Sequence, residues 1–334
     1  MMNVKEISNY MRKAFLLMGI LAATTVLPAC SGNKTQNNAS AETETTTETP
    51  KMLFSADSAY IYVKKQTEFG PRVPNTAAHR NCGDWLESEL RRHGANVVVQ
   101  SMKLKAFDGT TLDTRNIMGQ YNPGSADRLL LMAHWDTRPW ADNDPDEANH
   151  KKPMDGANDG ASGVGVLLEV ARQLAIKNPS MGIDILFLDA EDWGSHDRDD
   201  SWALGADYFV KNPILPDYKP SRAILVDMVG GRGSQFYREQ HGEMYARGLN
   251  DAIWTIAMDS GLNNYFMNQT GGAVTDDHVK FLEAGIPAID IIAFDPASDS
   301  GFPATWHTMQ DNMENIDAQV LGAVGQTLLN YIYK

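Results

Sequence analysis

Ile183-Asp184-Ile185-Leu186-Phe187-Leu188-Asp189-Ala190-Glu191-Asp192-Trp193 is a near-continuous apolar run that breaks into three carboxylates. A run of that length without alternation suits a strand buried on both faces, with helices above and below it. Leu129-Leu130-Leu131-Met132-Ala133 reads the same way. Outward from these two, strand-like runs fall at 95–104, 115–121, 222–228 and 288–293. Helical patterns fall at 53–69, 76–93, 161–177, 201–210, 243–260 and 317–333. Within 161–177, Leu167, Val170, Ala171 and Leu174 give the three- and four-residue spacing of one apolar helix face. Strands alternating with helices predict an α/β fold, a three-layer αβα sandwich around a central twisted sheet. Val97-Val98-Val99 followed by a turn at Asp108-Gly109 adds a hairpin at the edge, so the sheet is expected to be mixed.

The carboxylates and histidines cluster where the strands end. His134 and Asp136 follow 128–133, Asp189, Glu191 and Asp192 follow 183–188, and Asp227 closes 222–226. Ligands of open α/β sheets bind outside the carboxyl ends of the strands, so these three ends deliver imidazole and carboxylate to one rim. Such a set implies a polyvalent cation. Carboxylates and imidazoles without a thiolate pair favour zinc in a catalytic role, with three protein ligands and one open position. Five segments carry the site: Ala133-His134-Trp135-Asp136-Thr137, the glycine-rich 155–163, Phe187 to Gly194, Leu225-Val226-Asp227-Met228, and Thr305-Trp306-His307-Thr308-Met309-Gln310-Asp311-Asn312. Asp142 to Glu147 alternates acids but lacks the glycine and glutamate of a calcium loop, and reads as a solvated rim loop. His79, His93, His150, His196 and His241 belong to no motif and are expected at the surface or in structural roles.

Composition narrows the partners. The 334 residues carry a net charge of −14 and no Lys/Arg run that would grip phosphates, so nucleic acid is not an expected partner. At the start, Lys5, Arg12 and Lys13 precede a short apolar stretch, 14–26, that is too short to span a bilayer permanently. It ends in Leu27-Pro28-Ala29-Cys30, which resembles a bacterial lipobox. Residues 1–29 are thus expected to be a lipoprotein signal peptide. Residues 30–52, rich in Ser, Thr, Asn and Glu, are expected to be a flexible tether, and 53–334 a single catalytic domain. The expected location is an exported, membrane-anchored lipoprotein on the periplasmic face, touching the membrane only through a lipid on Cys30. A monomer is expected. With Cys30 acylated, Cys82 is the remaining thiol, and it reads as a small buried residue.

The order His-x-Asp, Gly-Ala-x-Asp, acidic pair, Asp, His resembles the zinc aminopeptidase clan. Trp306-His307-Thr308-Met309-Gln310-Asp311-Asn312, the following Asn315-Ile316-Asp317 and Asp276-Asp277-His278 are similar to the animal-type glutaminyl cyclases within it. The resemblance runs from about Phe54 to Tyr333. It implies that Asp159, Asp192 and His307 hold one zinc, that Glu191 is the general acid/base, and that Asp227 and Asp276 orient the reacting groups. Asp192 stands where the animal enzymes have glutamate, and Ala133 where they have a cysteine, so their nearby disulfide is absent. The implied reaction closes the N-terminal glutamine of peptides or proteins into pyroglutamate with release of ammonia. Trp193 and Trp306, each next to an implied ligand, are expected to wall the substrate pocket. His134 and Asp136 are expected either to support the ligands from behind or to serve a second metal. The second case corresponds to the alternative activity, a dizinc aminopeptidase that removes N-terminal residues with two zinc ions per chain.

Overall fold

The computed structural model describes residues 53–334. The basic start, the apolar stretch, Cys30 and the tether lie outside the described residues. The main sheet is built from β1 (Asn96–Lys105), β2 (Thr111–Tyr121), β3 (Arg128–His134), β4 (Gly182–Leu188), β5 (Arg222–Asp227) and β8 (Ala288–Ile292), in the order β1-β2-β4-β3-β5-β8. β1 and β2 form the expected edge hairpin. They are antiparallel to each other, and β2 is antiparallel to β4, while β4, β3, β5 and β8 run parallel. Gly109 takes the positive φ (86°) that the hairpin turn requires. β3 and β4, the two apolar runs, are buried along their whole length.

Side chains alternate between two cores, as the pleat dictates. Leu129, Leu131 and Ala133 face the larger core, which is covered by α1 (Ala56–Thr67), α2 (Ala77–Arg92), α3 (Ala161–Ile176), α6 (Arg247–Asp259) and α8 (Ala318–Ile332). Leu130 and Met132 face the smaller one, under α4 (Leu204–Lys211) and α7 (Asp277–Glu283). The domain is therefore a three-layer α/β sandwich with a mixed sheet, as the alternation of runs predicts. Two details differ. The pattern at 243–260 divides into α5 (Gln240–Tyr245) and α6, because Ala246 leaves the helical region at φ −135° and ψ 32°. A second small sheet pairs β6 (Phe236–Arg238) with β7 (Phe266–Thr270), strands too short to leave a period in the sequence.

α3 lies close against β5, and Gly163 makes that possible. A Cβ there would lie 2.1 Å from the carbonyl oxygen of Val226. Gly163→Ala must push α3 off the sheet, at a cost of about 1–3 kcal/mol. At about 2–4 °C per kcal/mol for a domain of this size, the expected outcome is a melting temperature several degrees lower by circular dichroism.

Candidate active site

The C-terminal rim of the parallel strands, together with the turn just before α3 and the loop before α8, gathers the ligating side chains. Oxygen and nitrogen atoms of Asp159, Asp192 and His307 lie within 4.8 Å of one another, and all three residues are buried. His307 Nε2 is 3.2 Å from Asp192 Oδ1 and 3.6 Å from Asp159 Oδ2. Asp159 also belongs to a second group. His134 Nε2 sits 3.0 Å from its Oδ1 and 3.1 Å from Asp227 Oδ1, and these three residues meet the same 4.8 Å limit. The three expected zinc ligands thus come together, and Asp159 is shared with a second triad in which Asp227, rather than Asp136, joins His134.

The first triad suits a divalent cation. Neither oxygen of Asp192 has a hydrogen-bond partner, although the residue is 1% exposed. Burial pushes its carboxyl up to about 8. Burial also pushes the His307 imidazole down to about 3, with the Arg138 guanidinium adding to the effect, so the ring is neutral and its lone pair is free to ligate. Two carboxylates and one neutral imidazole would balance a +2 ion, and the ion would relieve the cost of burying Asp192, which has the Arg138 guanidinium no nearer than 3.7 Å.

The ligand-bearing turns are held from behind by two further buried carboxylates. Asp136 accepts hydrogen bonds from the backbone N–H groups of Glu191 (3.1 Å) and Asp192 (3.2 Å). Asp311 does the same for Asn158 (2.6 Å) and Asp159 (3.1 Å). Asp136 Oδ1 also lies 3.5 Å from His134 Nδ1, so it faces the second triad without belonging to it. Asp136→Ala should release the Glu191–Asp192 turn. Partners behind metal ligands are worth about 10–100-fold in affinity, and a competitive zinc titration should show a loss in that range.

Arg138 is a buried tie that the sequence did not flag. It forks onto Asp142 (2.8 and 2.6 Å) and donates to the carbonyls of Asp192 (3.0 Å) and Gly194 (3.2 Å). Asp142 in turn lies 3.6 Å from His307 Nδ1, so it helps set the orientation of that ring. The acidic segment 142–147 is therefore more than a solvated rim. Asp144 is buried and accepts from the backbone N–H of Met309 at 2.8 Å, tying the segment to the His307 loop.

A cavity of about 290 Å³ opens over the first triad. Trp306 forms one wall, stacked on His307 with ring centroids 3.9 Å apart and leaning on Phe302 at 4.3 Å. The second expected wall is corrected. Trp193 does not line the cavity; it packs on Trp140 at 5.6 Å and donates Nε1–H to Asp108 at 3.3 Å. Asp192 points its carboxylate inward, and the next side chain along leaves on the opposite side. Trp202 takes the place, its ring nearly parallel to His307 at 6.0 Å. A Cβ on Gly194 would lie 2.0 Å from the Trp202 ring, so that glycine is the one sequence mark of the arrangement. His196, expected to be unrelated to the site, lines the cavity between Trp202 (5.5 Å) and Trp306 (5.6 Å). His79 is structural as expected, bonded to Asp189 at 2.9 Å and stacked on Trp135.

Glu191, Asp227 and Asp276 line the same cavity. Burial raises the Glu191 carboxyl well above its usual range, with the Asp276 charge adding to it. Burial, followed by the Asp227 charge, pushes Asp276 up to about 6. A glutamate with a raised pKa, beside a cation site and facing an aromatic cavity, is suited to take and return a proton.

The family model described as Peptidase family M28 matches residues 116–332. The chain is 50% identical to a Bacteroides thetaiotaomicron glutaminyl cyclase whose crystal structure holds N-acetylhistamine. The alignment covers 85% of this chain and 99% of that one, with a TM-score of 0.83. It is 51% identical to a Zn-dependent exopeptidase of Parabacteroides distasonis, with coverage of 85% and 99% and a TM-score of 0.84. Among curated proteins it is 26% identical over 246 residues to the glutaminyl-peptide cyclotransferase of Bos taurus, covering 65% of each chain. The chain spans 57% and 65% of the lengths of the first two curated relatives it matches.

Proposed function

The chain belongs to peptidase family M28, a zinc-dependent exopeptidase-like family, and from that premise we propose that it is a glutaminyl-peptide cyclotransferase. Its substrates are peptides or proteins with N-terminal glutamine. The observation that carries the reading is the aromatic-walled cavity over the Asp159–Asp192–His307 triad, with Glu191 buried in its wall. Half of the aligned residues are shared with a glutaminyl cyclase over nearly that protein's whole length, which supports it.

Asp159, Asp192 and His307 would hold one zinc, which when bound would supply Lewis-acid chemistry for an amide carbonyl. The chain's own residues do the rest. Trp306 and Trp202 confine the folded glutamine side chain so that its α-amine faces its own amide carbon, and they exclude the water that would hydrolyse it. Glu191 accepts a proton as the amine nitrogen bonds to that carbon. It returns the proton to the amide nitrogen as the old C–N bond breaks and ammonia leaves. Asp227 and Asp276, on the same wall, orient Glu191 and the amine.

A second reading draws on the His134–Asp159–Asp227 triad, which meets the same distance limit as the first and would suit a second metal in a dizinc aminopeptidase. One experiment separates the two. A synthetic peptide with N-terminal Gln, incubated with the purified zinc-loaded protein, should lose the mass of one ammonia and keep every residue. Elemental analysis should find one zinc per chain. A product one residue shorter, with two zinc ions per chain, would establish the peptidase instead.

A further inference from the structure

The cavity does not end at its carboxylates. Ile292, the last residue of β8, pairs in register with Asp227 and lines the cavity beside it. Two residues on, Phe294 lines it as well. Phe294 is half-buried, yet it lies outside the apolar cores of the described residues. A large aromatic side chain that fills no core and faces a cavity has the character of a binding surface rather than of packing.

Two loops hold that ring, and both reach it with glycine. Segment 295–301 closes on itself: the Asp295 N–H donates to the Gly301 carbonyl at 2.8 Å, and the Gly301 N–H to the Ser298 carbonyl at 3.2 Å. Gly301 thereby returns to Phe294 with a φ of 77°, and a Cβ on it would lie 2.8 Å from the ring's Cε2. From the other loop, Gly272 approaches the same edge, where a Cβ would lie 3.0 Å from Cε2. That loop is anchored beside β6: the Gly271 N–H donates to the Arg238 carbonyl (2.8 Å) and the Gln240 N–H to the Gly272 carbonyl (3.1 Å). Tyr237 packs against the ring at a centroid distance of 5.4 Å, steeply inclined. Phe294 is thus held in place although no core requires it. The same loops give the cavity Ala273, Val274 and Phe302, and no charged lining residue before Asp276. The charged lining residues outside the catalytic group, His196 and Asp199, come from the segment between β4 and α4.

We propose that Phe294, with Val274 and Phe302, forms the subsite for the side chain of the residue that follows the N-terminal glutamine, and that it selects a large apolar or aromatic one. This inference rests on the cyclase reading. With the glutamine amide at the triad and its amine at Glu191, the peptide leaves the cavity between the Phe294 wall and the rim of His196 and Asp199. An apolar side chain loses contact with water on the first of these and gains nothing on the second. A carboxylate on the Phe294 wall would be stripped of water near Asp227 and Asp276 without a partner. Phe294 touches no reacting atom, so its contact is equally strong before and in the transition state and shows in KM rather than kcat.

The test gives the zinc-loaded protein two peptides, Gln-Phe-Ala amide and Gln-Gly-Ala amide. Ammonia release yields kcat and KM, and zinc content and the melting curve are read in parallel. The wild type is expected to show a KM about tenfold lower for the Phe peptide, at the low end of what an apolar pocket discriminates, with kcat values within about twofold of each other. Phe294→Ala should bring the KM ratio close to one, and Phe294→Leu should restore part of it. Gly272→Ala, whose Cβ presses on the ring edge, should lower the ratio with Phe294 still in place. If Phe294→Ala fails to fold, the wild-type ratio and Gly272→Ala decide. A merely structural role would lower the melting temperature or weaken turnover of both peptides alike and leave the ratio standing. A wild type with the same KM for both peptides, or a folded Phe294→Ala protein that keeps the ratio, would overturn the subsite and leave the cyclase reading intact. A wild type that releases ammonia from neither peptide would overturn that reading, and the subsite with it.

Discussion

Replacing Glu191 by glutamine is expected to leave zinc bound and to lower kcat about 10²–10⁴-fold, the usual worth of a general acid/base. Three features of the structure separate its role from metal binding. Glu191 lies outside both triads of ligating atoms. Its backbone N–H is fixed by Asp136, so the turn that carries Asp192 does not depend on the Glu191 side chain. Its carboxyl lines the cavity rather than the cation site's rear wall, where Asp136 and Asp311 act. Glutamine has the same length and nearly the same volume, but its amide cannot accept the amine proton and hand it on. Burial and the Asp276 charge raise the Glu191 carboxyl, which places its proton exchange nearer the working pH than an exposed glutamate's. The variant should therefore bind an N-terminal Gln peptide with a KM close to that of the wild type, hold one zinc per chain, and release ammonia at a rate near background. A Glu191→Gln protein with full turnover would remove Glu191 from the reaction.

The parts of this architecture that can be read in the sequence are those with a period or a boundary. β3 and β4 stand out because buried parallel strands need no polar face, and His134, Glu191, Asp192 and Asp227 stand out because they interrupt those runs at the rim where ligands bind. The aromatic walls obey no such rule. Residues 189–201 between β4 and α4 have no regular secondary structure apart from a short 3₁₀ turn at Asp199–Ser201, so no period says which side chain turns inward. Proximity to Asp192 favours Trp193, yet Trp202, nine positions beyond it, forms the wall. Asp142 and His196 meet His307 only through folding across more than a hundred residues, and Arg138 reaches it through Asp142. Their residue types are ordinary surface types, and nothing local marks them. Asp290 is the instructive middle case. A lone carboxylate inside Ala-Ile-x-Ile-Ile is visible as a conflict between pattern and residue, but its partner His278 lies on another element and only the fold brings the two together.

Stripping the metal with a chelator at pH 8 is expected to lower the melting temperature by about 10 °C, and the loss should shrink as the pH falls toward 5. The first part follows from linkage. A ligand present at about a thousand times its dissociation constant stabilises the folded state by about 4 kcal/mol, and a domain of this size shifts by about 2–4 °C per kcal/mol. The pH dependence follows from Asp159 and Asp192. Without a cation, burial raises both carboxyls, that of Asp192 to about 8, against about 3.9 in an unfolded chain. A carboxyl whose pKa is higher folded than unfolded binds its proton more tightly in the native state. Its contribution is therefore most favourable at low pH and is lost as the pH rises from about 4 to about 8. Zinc removes that dependence by taking the proton's place as the compensating charge. Asp159→Asn sharpens the test, because Asp159 is shared by both triads and its charge also opposes ionisation of Asp192. The variant should lose zinc binding and turnover together. Its chelated form should nonetheless melt no lower at pH 8 than the chelated wild type, since one of two mutually repelling buried carboxylates is gone. A stripped wild-type protein as stable at pH 8 as at pH 5 would mean that these two aspartates are compensated by the protein itself, and that the triad was not shaped for a cation.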